Sequence, residues 1–152
     1  MSNRARPTLH LQRLVRAPRA AVFRALTQPQ ELAKWFGPDG FAIPRVESDL
    51  RTGGGYRIAM QPPEGDLFHL TGQFLDVDPP AHLSYTFRWE PPTPDDRETV
   101  VTLALHDLGW TATELVFTQG DFATEERYAL HEAGWTQALD KLERLLSAET
   151  PA

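Results

Sequence analysis

From Thr124 to about Ser147 the chain keeps one helical period with no proline in it, and that segment constrains everything before it. Tyr128, His131, Trp135, Ala138 or Leu139, Leu142 and Leu145 recur at intervals of three and four, which lays a single apolar stripe along one side. Thr124 is placed to cap the segment. Glu125 and Glu126 follow in a first turn, where the positive end of the helix dipole favours acids. Such a helix reaches about 35 Å at a rise of 1.5 Å per residue. Burying its stripe takes an apolar surface of the same length, which the rest of the chain must supply.

The preceding region reads as that surface. From Phe41 to about Phe117 runs of alternating residues are separated by turn chemistry, with no helical period between them. Phe41 to Leu50 meets a turn at Thr52-Gly53-Gly54-Gly55, after which Tyr56, Ile58 and Met60 share one face. Pro62-Pro63-Glu64-Gly65 reverses the chain into Leu67 to Val77, and Asp78-Pro79-Pro80 closes that strand. Next, Leu83, Tyr85, Phe87 and Trp89 oppose His82, Ser84, Thr86 and Arg88. The loop from Pro91 to Asp96, with three prolines and two acids, is expected in solvent. Val101, Leu103 and Leu105 then pair with Thr113, Leu115 and Phe117 across Asp107-Leu108-Gly109.

Ahead of these, Leu9 to Val15 alternates as an opening strand. Ala17-Pro18 leads into a helix ending near Thr27, and Pro29 starts a second short helix that stops at Gly37-Pro38. The order predicts an α+β fold. One twisted antiparallel sheet of about six or seven strands lies around a long C-terminal helix, with two short helices after the first strand. The 152 residues are expected to form a single domain with its core at about 9–147.

Charge and composition narrow the function. A net charge of -6 argues against nucleic acid, and the cations grouped before Glu31 (Arg4, Arg6, Arg13, Arg16, Arg19 and Arg24) read as surface polarity. No cysteine is present, which excludes disulfides and thiolate chemistry. No apolar run approaches the roughly 20 residues of a membrane span, so a cytoplasmic location is expected. The five histidines include no pair at i, i+4, so neither metal nor cofactor is expected. Gly53-Gly54-Gly55 lacks the Lys-Ser or Lys-Thr of a phosphate loop, and no serine sits in a Gly-x-Ser-x-Gly elbow. Glu47, Asp49, Glu114 and Asp121 would serve as general bases only if buried.

The aromatic residues carry the strongest functional signal. Trp35, Phe36, Tyr56, Tyr85, Phe87, Trp89, Tyr128 and Trp135 come from the short helices, one sheet face and the last helix, and converge on one interior. Tyr and Trp bring polar handles that a dry core must satisfy, so their convergence predicts a lined cavity with its mouth near Trp35-Phe36 and Trp89. His131 lies on the inward stripe. The plain reading is a packed imidazole bonded to a backbone carbonyl; the alternative is contact with a ligand.

Five ordered blocks resemble a known family. They are Ala17-Pro18 with Val22-Phe23-Arg24-Ala25-Leu26-Thr27; Glu31-Leu32-Ala33-Lys34-Trp35-Phe36-Gly37-Pro38; Asp49-Leu50-Arg51-Thr52-Gly53-Gly54 before Tyr56-Arg57; Pro79-Pro80 before Leu83 to Trp89; and His131-Glu132-Ala133-Gly134-Trp135 leading to Leu139-Asp140-Lys141-Leu142. Over Leu9 to Leu146 the chain is similar to the activator of heat-shock-chaperone ATPase homologue family, within the START-like helix-grip superfamily. The resemblance implies a hydrophobic cavity under the last helix and, in many members, no established reaction. The expected function is therefore non-enzymatic binding of a small apolar or aromatic molecule, in a stress-related setting. The expected site is Trp35, Phe36, Tyr56, Met60, Tyr85, Phe87, Trp89, His131 and Trp135. In the namesake activators a domain like this touches a chaperone, which makes a chaperone co-activator one alternative. A cyclase- or aromatase-like enzyme using His131, Tyr85 and Tyr56 is the other, and a buried ionisable pair within hydrogen-bond reach and aimed into the pocket would distinguish it. Monomer and homodimer remain equally open.

Overall fold

The strand alternation resolves into one seven-stranded antiparallel sheet, ordered β1-β7-β6-β5-β4-β3-β2. The computed structural model describes residues 7–93 and 95–149; Arg4, Arg6, Pro94 and the two ends of the expected domain lie outside the described residues. In chain order the elements are β1 (Leu9–Val15), α1 (Arg19–Thr27), α2 (Pro29–Trp35), β2 (Ala42–Ser48), β3 (Gly55–Gln61), β4 (Phe68–Asp78), β5 (His82–Glu90), β6 (Thr99–Asp107), β7 (Thr113–Gly120) and α3 (Glu125–Glu149). Strands β2 to β7 form a meander, while β1 returns to pair with β7 in the register Leu9 opposite Gln119. Helices α1 and α2 therefore carry the chain from one edge of the sheet to the other.

The buried face of the sheet follows the expected alternation. Thr113, Leu115, Phe117 and Gln119 of β7, Val101, Leu103 and Leu105 of β6, Leu83, Tyr85 and Phe87 of β5, and Tyr56, Ile58 and Met60 of β3 are all buried. Helix α3 lies among them with His131, Trp135, Ala138, Leu139, Leu142 and Leu146 buried. At the last turn the stripe passes to Leu146, with Leu145 only half-buried, because i+4 from Leu142 keeps nearer the 3.6-residue pitch. Thr124 caps the helix as its position implied, its Oγ1 accepting from the Arg127 N–H at 3.0 Å.

Arg13 departs from the expected surface role. It sits on the side of β1 that meets α3, its side chain only 18% exposed, and it donates to Asp140 at 2.6 Å and to Glu143 at 2.5 Å. The edge strand is thus clasped to the helix by charge as well as by apolar contact.

One close approach in the sheet admits only glycine. A Cβ on Gly72 would stand 2.0 Å from the Thr86 carbonyl oxygen and 2.7 Å from the Tyr56 ring. The Tyr56 hydroxyl donates to that same carbonyl at 2.6 Å, so the ring crosses the gap the missing side chain leaves. Gly72→Ala is expected to destabilise the protein by about 3 kcal/mol, the upper end of overpacking costs, measured by urea unfolding.

Candidate functional site

Helix α2 ends because Phe36 is extended and Gly37 turns the chain at φ +89°, a conformation in the left-handed region that suits glycine. This turn brings Phe36, Gly37 and Pro38 against α3. Together with Met60 of β3, Phe87 and Trp89 of β5, and Arg127, Leu130, His131, Gly134, Trp135 and Ala138 of α3, they enclose a cavity of about 100 Å³. Leu130, 55% exposed, stands at its rim. The rings interlock edge to face, with Phe36 to Trp135 at 5.6 Å and Phe87 to Trp89 at 5.0 Å between centroids.

The indole N–H groups of the wall are satisfied away from the cavity. Trp135 Nε1 donates to Gln119 Oε1 at 2.8 Å, and Gln119 Nε2 donates on to Thr99 Oγ1 at 2.9 Å. Trp89 Nε1 donates to Asp96 Oδ2 at 2.8 Å. That leaves Arg127 and His131 as the polar side chains of the wall.

Pro91, Pro92 and Asp95 of the loop are exposed as expected, and Asp96 is the exception. Its side chain is 3% exposed, and one oxygen, Oδ2, accepts from Trp89, from Arg127 Nη2 at 3.0 Å and from His131 Nε2 at 2.7 Å. Oδ1 accepts from the Arg97 N–H at 3.0 Å. The Asp96 side chain turns inward because three donors from β5 and α3 converge on it, and buried donors need an acceptor. Burial on its own would raise the Asp96 pKa; the hydrogen bond and charge of His131, with the bonds from Trp89 and Arg127, outweigh it and hold the carboxyl below its ordinary value.

A carboxylate only accepts, so His131 Nε2 carries the shared hydrogen. The plain reading of His131 is therefore corrected: its partner is a side-chain carboxylate rather than a backbone carbonyl. Its Nδ1 takes no partner among the described residues. Arg127 gives Asp96 only Nη2; its Nε is buried without a partner, and Nη1 has none among the described residues.

The expected site residues divide among three places. Phe36, Met60, Phe87, Trp89, His131 and Trp135 line the cavity against α3. Tyr56 and Tyr85, with Phe36 shared, line a second and smaller cavity of about 30 Å³. Burial raises both phenols above their ordinary pKa, so they remain protonated rather than serving as bases, and Tyr56 donates to the Thr86 carbonyl. Trp35 lines neither cavity; its Nε1 donates to the Ala25 carbonyl at 2.8 Å, which ties α2 to α1. Sequence reading passed over Arg127 and Asp96. The signal for Arg127 was its spacing of four and eight from His131 and Trp135; Asp96 left none. Of the acids named as conditional bases, Glu47, Asp49 and Asp121 are exposed and Glu114 is half-buried. Among the described residues no three metal-ligating side chains converge. No helix there is long and apolar enough to cross a membrane.

An antiparallel sheet around a long C-terminal helix, with two short helices after the first strand, defines the helix-grip class of START-like ligand-binding modules. The chain belongs to the family described as activator of Hsp90 ATPase homolog 1-like protein, whose model matches residues 16–147. It is similar to solved bacterial structures over nearly its whole length. An AHSA1 protein of Silicibacter pomeroyi is 29% identical with a TM-score of 0.81, covering 95% of this chain and 100% of that one. Protein NE0264 of Nitrosomonas europaea is 28% identical with a TM-score of 0.79, covering 94% and 96%. Protein CV1439 of Chromobacterium violaceum is 28% identical with a TM-score of 0.76, covering 92% and 97%. A comparison with curated proteins returns no match.

Proposed function

We propose that the domain binds a small apolar or aromatic molecule in the cavity between α3 and the sheet, without reacting with it. The observation that supports this reading is the wall itself: aromatic and aliphatic groups whose indole N–H groups are already bonded, so nothing but Arg127 and His131 asks for a polar partner. Size sets the ligand class. An apolar cavity of about 150 Å³ in another protein admits benzene. A cavity of about 100 Å³ with a rim at Leu130 accordingly fits one ring or a short branched chain, part of it protruding. A long folded chain of the kind a cyclase orients is too large.

Gly134 provides the test. A Cβ there would meet Pro38 Cγ at 3.4 Å, ordinary contact, inside the cavity wall. Gly134→Ala is expected to stabilise α3 by about 1 kcal/mol through helix propensity while weakening the binding of toluene or indole, followed by the indole N–H signals of Trp89 and Trp135. Shifts of those signals in the wild type that survive unchanged in the variant would place the bound probe elsewhere; no shifts at all would remove the reading.

The His131–Asp96 pair favours a second reading, acid–base chemistry on the bound molecule, since a carboxylate that orients an imidazole is how many general bases are built. It is the weaker one: Tyr56 and Tyr85 line the other cavity, which leaves the imidazole without a second proton-transfer group. Contact with a chaperone rests on the family description, and stimulation of a chaperone's ATPase on adding the protein is its measurement.

A further inference from the structure

We infer that the cavity's ligand is an acid, a small aromatic or branched aliphatic monocarboxylate whose head group is anchored by Arg127. The inference rests on the binding reading above and adds to it the polar end of the ligand. Arg127, His131 and Trp135 follow one another at i, i+4 along α3, so the cavity has a polar end near the start of the helix and an apolar end toward Trp135 and Ala138. A ligand that matches both ends is amphipathic.

The polar end is short of an acceptor. Arg127 spends one N–H on Asp96 and keeps a buried Nε with no partner, and a buried unpaired donor on a cation costs more than a neutral one. Asp96 does not fill the need, because Trp89, Arg127, His131 and the Arg97 N–H already occupy its two oxygens, and it does not line the cavity. Arg127 lines the cavity and Asp96 does not, so the molecule there faces the cation and not the anion behind it; with Nε buried and Nη2 bonded to Asp96, the neighbouring Nη1 is the donor left for it. A carboxylate suits that fork, since its two oxygens match two parallel N–H groups. The positive end of the α3 dipole lies on the same side, beyond Thr124.

Phenylacetate, phenylacetamide and toluene separate the possibilities at fixed pH and salt, with dissociation constants taken from NMR titration of the full chain. Phenylacetate is expected to bind about ten-fold more tightly than its amide. Arg127→Met should bring that ratio close to one while toluene binding persists, and Arg127→Lys, which keeps the charge but loses the fork, should fall between. Equal affinity for acid and amide in the wild type, or a preference for the acid that survives Arg127→Met, overturns the inference; if Arg127→Met does not fold, the wild-type ratio and Arg127→Lys decide it. Toluene binding without an acid preference removes this inference alone, whereas failure of all three probes to bind removes the binding reading as well.

Discussion

Asp96→Ala is expected to lower stability by about 3–5 kcal/mol, the cost of removing one partner from a buried ionic cluster. The loss is large because Trp89 Nε1, His131 Nε2 and Arg127 Nη2 all lose the one oxygen they share. For a chain of this length, thermal unfolding should shift down by on the order of 10 °C. The pH dependence checks the cause. The carboxyl is held below its ordinary value in the folded state, so its ionised form stabilises the protein above the unfolded value of about 4, and that contribution is lost as pH falls through the folded value. The gap between wild type and Asp96→Ala should be widest near neutrality and narrow below about pH 4. A gap of constant size down to pH 3 would mean that the charge of Asp96 contributes nothing to stability.

Trp135→Ala should be comparably damaging, at about 4 kcal/mol, since a buried indole is exchanged for a methyl and the site has little freedom to collapse. Trp135 is 6% exposed, touches Phe36, Phe87 and Phe117, and leaves Gln119 Oε1 unpaired when it goes. It also lines the cavity, so its removal enlarges that space by about the volume of the lost ring. Added indole should then refill it and raise the melting temperature of Trp135→Ala while leaving the wild type much less affected. Absence of rescue, with Trp135→Phe retaining most of the stability, would show that the variant collapses instead of keeping an opening.

Most of the architecture was legible because periodicity reports which side of an element is buried. Tyr56, Ile58 and Met60 fell on one face by alternation, and Trp135 and His131 fell on one stripe by helical spacing. Periodicity says nothing about position along the face, which is why Tyr56 and Tyr85 were grouped with residues that line a different cavity. Trp35 was read correctly as inward-facing, yet its indole closes a short-range bond to Ala25, ten residues away, that spacing does not encode. Asp96 was illegible for a different reason. Its neighbours in sequence are prolines and acids, the composition of a solvated loop, while its partners Arg127 and His131 lie 31 and 35 residues downstream. Arg127 shares the helix face of His131 and Trp135, yet the acceptor that holds it comes from another part of the chain, which spacing along α3 does not encode.

The position of β1 at the margin beside β7 has a consequence for how the chain is made. Leu9 must wait for Gln119, so the earliest of the seven strands is the last to find its neighbour. The meander from β2 to β7 pairs strands adjacent in sequence, whereas β1 stays unpaired until β7, the last strand of the sheet, has been made.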